Sequence, residues 1–374
     1  MNVDSLLQPV LTTATEHAPT VDTDGRFPEE AVAALAASGL LGLTLPEPDG
    51  GLGASPEEFV HVTAELAGVC GSTAMVYLMH ISGAMTVLAA PPPGMPDLTG
   101  DLATGRALAT LAFSEPGSRS HFWAPISQAK RNGGQEARFT ADKSWVTSAG
   151  HAQMYITSVL SADEPGTVDL YAIEADAPGV AVTGSFHGLG LRGNASAPMR
   201  FDMTVPDTLR LGASGSGLTL MTETVMPWFN LGNAAVSLGV ARAALNAAVR
   251  HTSGATLQHL GQTLAELPTI RARLARMSLQ LEAAHAYLRA AAASIAAPDE
   301  QTPLYVLGVK ALANDTALTV TDDAMRVCGG AAFSQHLAIE RFFRDARAGH
   351  VMAPTADVLY DFYGKAITGQ PVFG

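Results

Sequence analysis

The pattern of this 374-residue chain changes twice along its length. Residues 1 to about 105 carry apolar positions at helical spacing between clusters of turn residues. From about 106 to 212 come short runs rich in Val, Ile, Thr and aromatics (ALATLAFSE, ARFTADKSWVTSA, MYITSVLSA, DLYAIEA, GVAVTGSF), separated by Gly, Pro, Asn and Asp. Such runs predict antiparallel strands forming a small barrel or sandwich. After about 213 the helical pattern returns in three long apolar-faced segments, with a fourth helix expected near Met352, which predicts a bundle. The expected class is α+β, with an N-terminal α-helical domain (1–105), a central antiparallel β-domain (106–212) and a C-terminal four-helix bundle (213–374).

Local signals place the elements. Phe27-Pro28-Glu29-Glu30 starts a helix, because Pro suits a first turn and acids favour the positive helix end; Gly39 is placed to end it. The stretch Pro46–Gly53 is turn-rich. Ser55 is the expected N-cap of the next helix, with Pro56 at its first position. A further apolar helix is expected over Ser72–Ala90. In VMPWFNLGNAAVSLGVARAALNAAVRH, Gly232, Ala234, Ala235, Ser237 and Gly239 permit close helix packing.

Composition excludes several functions. A net charge of −13 with no Lys/Arg cluster gives no general attraction for nucleic acid or anionic membranes. Charged residues are only 15% of the chain, so some surface is expected to be covered in an oligomer. Cys70 and Cys328 are the only cysteines, each in an apolar stretch, and read as buried structural thiols, with no disulfide framework or metal site. The start MNVDSLLQPV lacks a basic n-region and a long apolar h-region, so no signal peptide is read there. The apolar run near Val76–Ala90 is interrupted by His80 and Ser82 and reads as too short for a bilayer. A cytoplasmic location is expected.

Six motifs in order resemble the acyl-CoA dehydrogenase superfamily across nearly the whole chain: GLLGLTLPEPDGGLG (39–53), FSEPGSRS (113–120), KSWVTSAG (143–150), GLGLRGNAS (188–196) with Val205-Pro206, RVCGGAAF (326–333) and ERFFRDAR (340–347). The resemblance implies a flavoprotein binding FAD. Segments matching Phe113–Glu115 and Trp145–Ser148 would surround the isoalloxazine. Trp145 would cover one face, the Thr147 hydroxyl would sit near N5, and Ser114 would donate at the pyrimidine end, with Phe113 and Ser148 beside them. Gly329 and Gly330 would let backbone approach the adenosine diphosphate of a neighbouring subunit's FAD, which implies a homo-oligomer, a dimer or tetramer. Thr355 is carried to the cofactor by the same resemblance. The family's pyrophosphate-gripping Arg position is Leu257 here and the usual Gln is Arg326, so Arg326 is expected to supply the charge. FMN, or FAD borrowed in reduced form from a reductase, stays open.

The chemistry departs from the family's pattern. Its general base, a Glu shortly after the RDA motif, corresponds to Ala353, and a second family location falls on Phe229. Asn230 stands where an Arg often contacts the CoA part of a substrate. Without a positioned base, roughly 10²–10⁴-fold in rate is lost, so another group must serve or the reaction must differ. Histidines are the candidates: His350 three residues before Ala353, His80 in the apolar helix, and His121 in place of an acid of the motif. The leading expectation is a flavin-dependent oxidoreductase that oxidises an acyl thioester or related small molecule with a non-standard base, passing electrons to an acceptor. One alternative is a monooxygenase acting through a flavin C4a-(hydro)peroxide, served by a flavin reductase. The other is a non-catalytic flavin-binding subunit.

Overall fold

The computed structural model describes residues 2–118 and 121–373; Arg119 and Ser120, which end the FSEPGSRS motif, lie outside the described residues. The chain forms two compact units, each built from three stretches. One unit takes the chain up to Phe59, Met75–Gly188 and Arg192–Phe229. The other takes Val60–Ala74, Leu189–Leu191 and the chain from Asn230 on.

Helix α1 (Val3–Thr23) is capped by Asn2, whose side chain accepts the Asp4 N–H. Its buried face of Leu7, Val10, Ala14 and Val21 follows the helical repeat. In α2 (Glu29–Ala37), Pro28 stands at the N-cap, one position earlier than the first turn, and Gly39 follows the helix with φ 76°, a left-handed conformation that glycine adopts without strain. Helix α3 (Pro56–Val69) opens with a reciprocal capping box: Ser55 Oγ accepts the Glu58 N–H at 3.2 Å, and Glu58 Oε2 accepts the Ser55 N–H at 2.9 Å. Helix α4 (Gly71–Ala89) starts before the run read from sequence. At 19 residues it is long and apolar enough to cross a bilayer, contrary to the sequence expectation, but 83% of its 18-residue apolar window is buried inside the protein. Helix α5 (Leu98–Ala103) precedes the strands.

Two sheets lie in the first unit. Strands β1 (Ala109–Ala112), β2 (Lys130–Arg131), β3 (Glu136–Val146), β4 (Met154–Leu160), β5 (Val168–Glu174), β6 (Val180–Val182) and β7 (Ala197–Pro206) form a three-stranded sheet ordered β1-β4-β5 and a four-stranded sheet ordered β2-β3-β7-β6. Burial alternates along β7, so the larger sheet has one covered face, whereas β4 and β5 are buried on both faces. Phe139 on β3 meets Tyr171 on β5, and Tyr155 on β4 meets Phe201 on β7, joining the sheets as a sandwich. One pair departs from the antiparallel expectation. β1 runs parallel to β4, which the long crossover between them through β2 and β3 makes possible.

A short helix α6 (Gly217–Leu220) passes through a π turn at Met221–Val225 into α7 (Met226–Gly254). A small hairpin of β8 (Thr256–Leu257) and β9 (Gln262–Thr263) follows, where the sequence reading had only helix. Gly254 ends the helix, and Gly261 with φ 63° closes the turn. Helices α8 (Pro268–Ala296), α9 (Thr302–Cys328), α10 (Gly330–Phe333), α11 (Ile339–Val351) and α12 (Ala356–Ile367) complete the chain. In the second unit α9 packs against α8, α11 and α12. Gly239 of α7 faces α3 so closely that a Cβ there would stand 2.2 Å from the Ala64 carbonyl oxygen.

Candidate active site

In the sheet-bearing unit the site is organised around a buried ion pair that sequence reasoning passed over. Lys143 on β3 is fully buried, and its Nζ donates to Glu115 Oε1 and to the Ser158 carbonyl, each at 2.6 Å, and to the Phe113 carbonyl at 3.4 Å. Burial pushes this lysine down to about 8 against the pull of Glu115. Glu115 Oε2 accepts the N–H groups of Ile126 and Ser127, both at 2.9 Å, and the Ser127 hydroxyl. Accepting four hydrogen bonds in all, the carboxylate fastens the segment after β1 to β3 and, through Lys143, to β4. The only trace in the sequence is that Glu115 and Lys143 each lie inside one of the motifs, FSEPGSRS and KSWVTSAG.

That pair brings five of the expected residues together. The Ser144 N–H donates to the Ser114 carbonyl at 2.8 Å, tying Phe113-Ser114 to the end of β3. There the β3–β7 register shifts between Lys143 and Val146, and Trp145 takes φ 56°. A bulky residue reaches this left-handed region only when its surroundings impose it. The bulge turns Trp145 outward, 67% exposed, its edge against Phe186. Thr147 is buried and shares a hydroxyl hydrogen bond of 3.1 Å with Ser196. Ser148, with φ 60°, anchors its N–H on the Asn194 carbonyl and leaves its buried Oγ without a partner. Phe113 is buried against Phe122.

Two of the histidines stand elsewhere. His80 is not available as a base. Its Nδ1 accepts the Ala109 N–H at 3.1 Å, so Nε2 carries the proton and donates to the Leu41 carbonyl at 3.1 Å. Burial lowers it to about 4, and with both nitrogens used it is a neutral strut between α4, the turn after α2 and β1. His121 is exposed, its ring edge-on to Trp123.

The long-helix unit holds the remaining residues. Gly329 caps α9 with φ 56° and ψ −136°, a conformation essentially restricted to glycine, and open space surrounds the position of a Cβ at both Gly329 and Gly330. Arg326, one turn earlier, is 57% exposed on its side chain and only loosely engaged by Asp322 and Asp323, at 4.0 and 3.9 Å. Asp323 is already bonded to Arg273 at 2.6 Å. Thr355 is the N-cap of α12. His350, in the last turn of α11, has its buried Nδ1 3.5 Å from Asp315 Oδ1 without a hydrogen bond, and Asp315 Oδ2 accepts the Tyr360 hydroxyl at 2.6 Å.

The turn that carries Ala353 is held from below by a second buried lysine, also missed from sequence. Lys310 of α9 donates to the carbonyls of Gly349, Met352 and Pro354 at 3.0, 3.0 and 2.7 Å, with no carboxylate beside it among the described residues, and burial lowers it to about 7. Asn314 adds a bond to the Gly349 carbonyl and receives the Ser237 hydroxyl. Asn230 is fully buried and spends its amide N–H on the Val306 carbonyl.

Three family models match in order: the N-terminal domain of acyl-CoA dehydrogenase over residues 4–90, the middle domain over 110–204 and the C-terminal domain over 215–368. The chain belongs to the acyl-CoA dehydrogenase family. It is 28% identical to cyclohex-1-ene-1-carbonyl-CoA dehydrogenase of Geobacter metallireducens over 93% of this chain and 92% of that protein. It is 26% identical to 3-sulfinopropanoyl-CoA desulfinase of Paraburkholderia xenovorans, covering 95% and 92%. Among solved structures, butyryl-CoA dehydrogenase from Megasphaera elsdenii superposes with a TM-score of 0.90 at 24% identity, covering 98% and 99%. Members of this family are FAD-dependent oxidoreductases, and this chain is one. Its residues fit the cofactor in each unit taken alone: an outward indole and an orphaned buried hydroxyl suit a flat ring with a polar rim, and the open glycine pair suits a diphosphate.

Proposed function

We propose that this protein oxidises an acyl thioester, with His350 in place of the family's glutamate as proton acceptor. The observation that carries the flavin part is the bulged end of β3, which turns Trp145 outward two residues after the buried Lys143–Glu115 pair. FAD, when bound, supplies an acceptor for the two electrons that leave the substrate. Trp145 covers the ring, Ser114 and Thr147 offer hydrogen bonds at its rim, and Arg326 with the Gly329-Gly330 backbone receives the pyrophosphate of a second subunit's cofactor. The Asp315 carboxylate, 3.5 Å from His350 Nδ1, would stabilise the ring once it has taken up a proton, and that buried nitrogen makes no other hydrogen bond. Electrons pass to a separate acceptor protein, and the enzyme works as a homo-oligomer in the cytoplasm.

A second reading, a monooxygenase using reduced flavin and oxygen, is favoured by one observation: neither Ala353 nor Phe229 carries a carboxylate. Anaerobic mixing of the FAD-loaded protein with a panel of acyl-CoAs separates the two. Bleaching of the flavin absorbance supports dehydrogenation; none with any chain length supports the monooxygenase. Under the first reading His350→Ala lowers turnover by about 10²–10⁴-fold with the flavin spectrum unchanged, and full activity removes His350 from the site. Arg326→Ala should weaken FAD retention, read as flavin lost on gel filtration.

A further inference from the structure

The long-helix unit also contains a cleft of about 570 Å³ that none of the chemistry above uses. Arg242, Arg250 and His251 of α7 border it, together with His336 ahead of α11, while Val69 and Phe342 supply apolar wall. Arg242 is engaged by Glu65 at 2.7 Å. Among the described residues no carboxylate stands within ion-pair distance of Arg250, His251 or His336. In a chain of net charge −13 this gathering of cationic and titratable nitrogens is not a by-product of composition. A second feature points the same way. Leu337 and Ala338, at the start of α11, also line the cleft, and that 13-residue helix begins without a side-chain cap. Its first N–H groups thus lack a side-chain acceptor, at the end where the helix dipole favours an anion.

We propose that this cleft binds a phosphate group, carried by a small organic molecule or free in solution. Arg250 makes the principal contact, because an unpaired guanidinium matches phosphate oxygens two at a time. His251 and His336 add donors, and the start of α11 adds backbone N–H groups. The volume is in the range of small-ligand sites, about 300–1,000 Å³, and exceeds what phosphate alone fills. The Val69 and Phe342 walls therefore suit an organic body on the same ligand.

The test is isothermal titration calorimetry of the FAD-loaded, full-length protein with inorganic phosphate, AMP and adenosine. Saturable binding of AMP at about 1 mM or tighter, with adenosine silent, supports the proposal. AMP tighter than phosphate assigns the site to a phosphomonoester, and equal binding assigns it to free phosphate. Arg250→Gln should weaken either ligand by about tenfold or more, with Arg250→Lys losing less, and both variants should keep the wild-type melting temperature and flavin spectrum. No saturable heat from phosphate or AMP at about 5 mM, adenosine binding as well as AMP, or an Arg250→Gln protein indistinguishable from wild type overturns it. The flavin reaction is not needed for any of these readings.

Discussion

Two buried lysines do different work in this protein, and the difference is testable residue by residue. Lys143 is paired, so removing it strands Glu115. Lys143→Met should cost about 3–5 kcal/mol, the usual penalty for an orphaned buried charge, seen as a lower denaturation midpoint and poorer flavin retention. The double variant with Glu115→Gln should recover part of that loss. An unchanged midpoint in the single variant would mean that the pair does not hold the segment. Lys310 has only carbonyl partners, and its folded-state value near 7 lies below the ordinary lysine value of 10.5. Between those values the folded protein binds fewer protons than the unfolded chain, so stability should rise with pH from about 7 towards 10. Below pH 7 both states are protonated and the folded state bears the full burial cost. Urea unfolding across this window should show the slope in wild type, and Lys310→Met should flatten it. Both lysines escaped sequence reasoning for the same reason. Carbonyl partners leave no mark in a sequence, and a carboxylate 28 residues away is one among many. His80 misled in the same manner, since Leu41 and Ala109 reach it through backbone atoms alone.

At the level of elements, packing distance makes its own demand. Gly239→Ala would put a methyl 2.2 Å from the Ala64 carbonyl oxygen, so α3 and α7 would have to move apart. A loss of about 1–3 kcal/mol is expected from such overpacking, measured by thermal or denaturant unfolding. Gly254→Ala, where nothing lies within 4 Å, is the matched control. The helices were legible because a 3.6-residue repeat and a cap announce themselves over a few residues, as Ser55 and Gly39 did. Most strands were legible for the same local reason. The parallel pairing of β1 with β4 was not, because it depends on which strands meet across 40 residues or more of chain, and no local pattern records that. The β8–β9 hairpin was missed because its strands are only two residues long and carry no alternation. Its turn glycine, Gly261, was the available clue.

For the whole molecule, the low charge content has a structural counterpart. Leu279 on α8 is 72% exposed and Phe333 after α9 is 84% exposed, large apolar side chains that a lone subunit would leave in water. Leu279→Asp should therefore give a smaller species by size-exclusion light scattering if that face lies between subunits, and an unaltered mass would mean that it does not. The family assignment was legible from six motifs in order, whereas the division into two interleaved units was not, since a contact between distant stretches has no local signature. That interleaving has a consequence for how the protein is made. Val60–Ala74 emerges from the ribosome long before Asn230, where the helices it packs against begin. At roughly 5–20 residues per second, α3 must wait on the order of ten seconds or more with its apolar side unmatched. A nascent chain arrested before α7 should thus be a preferred chaperone client, and a fragment beginning at Asn230 should lack a part that its own fold requires.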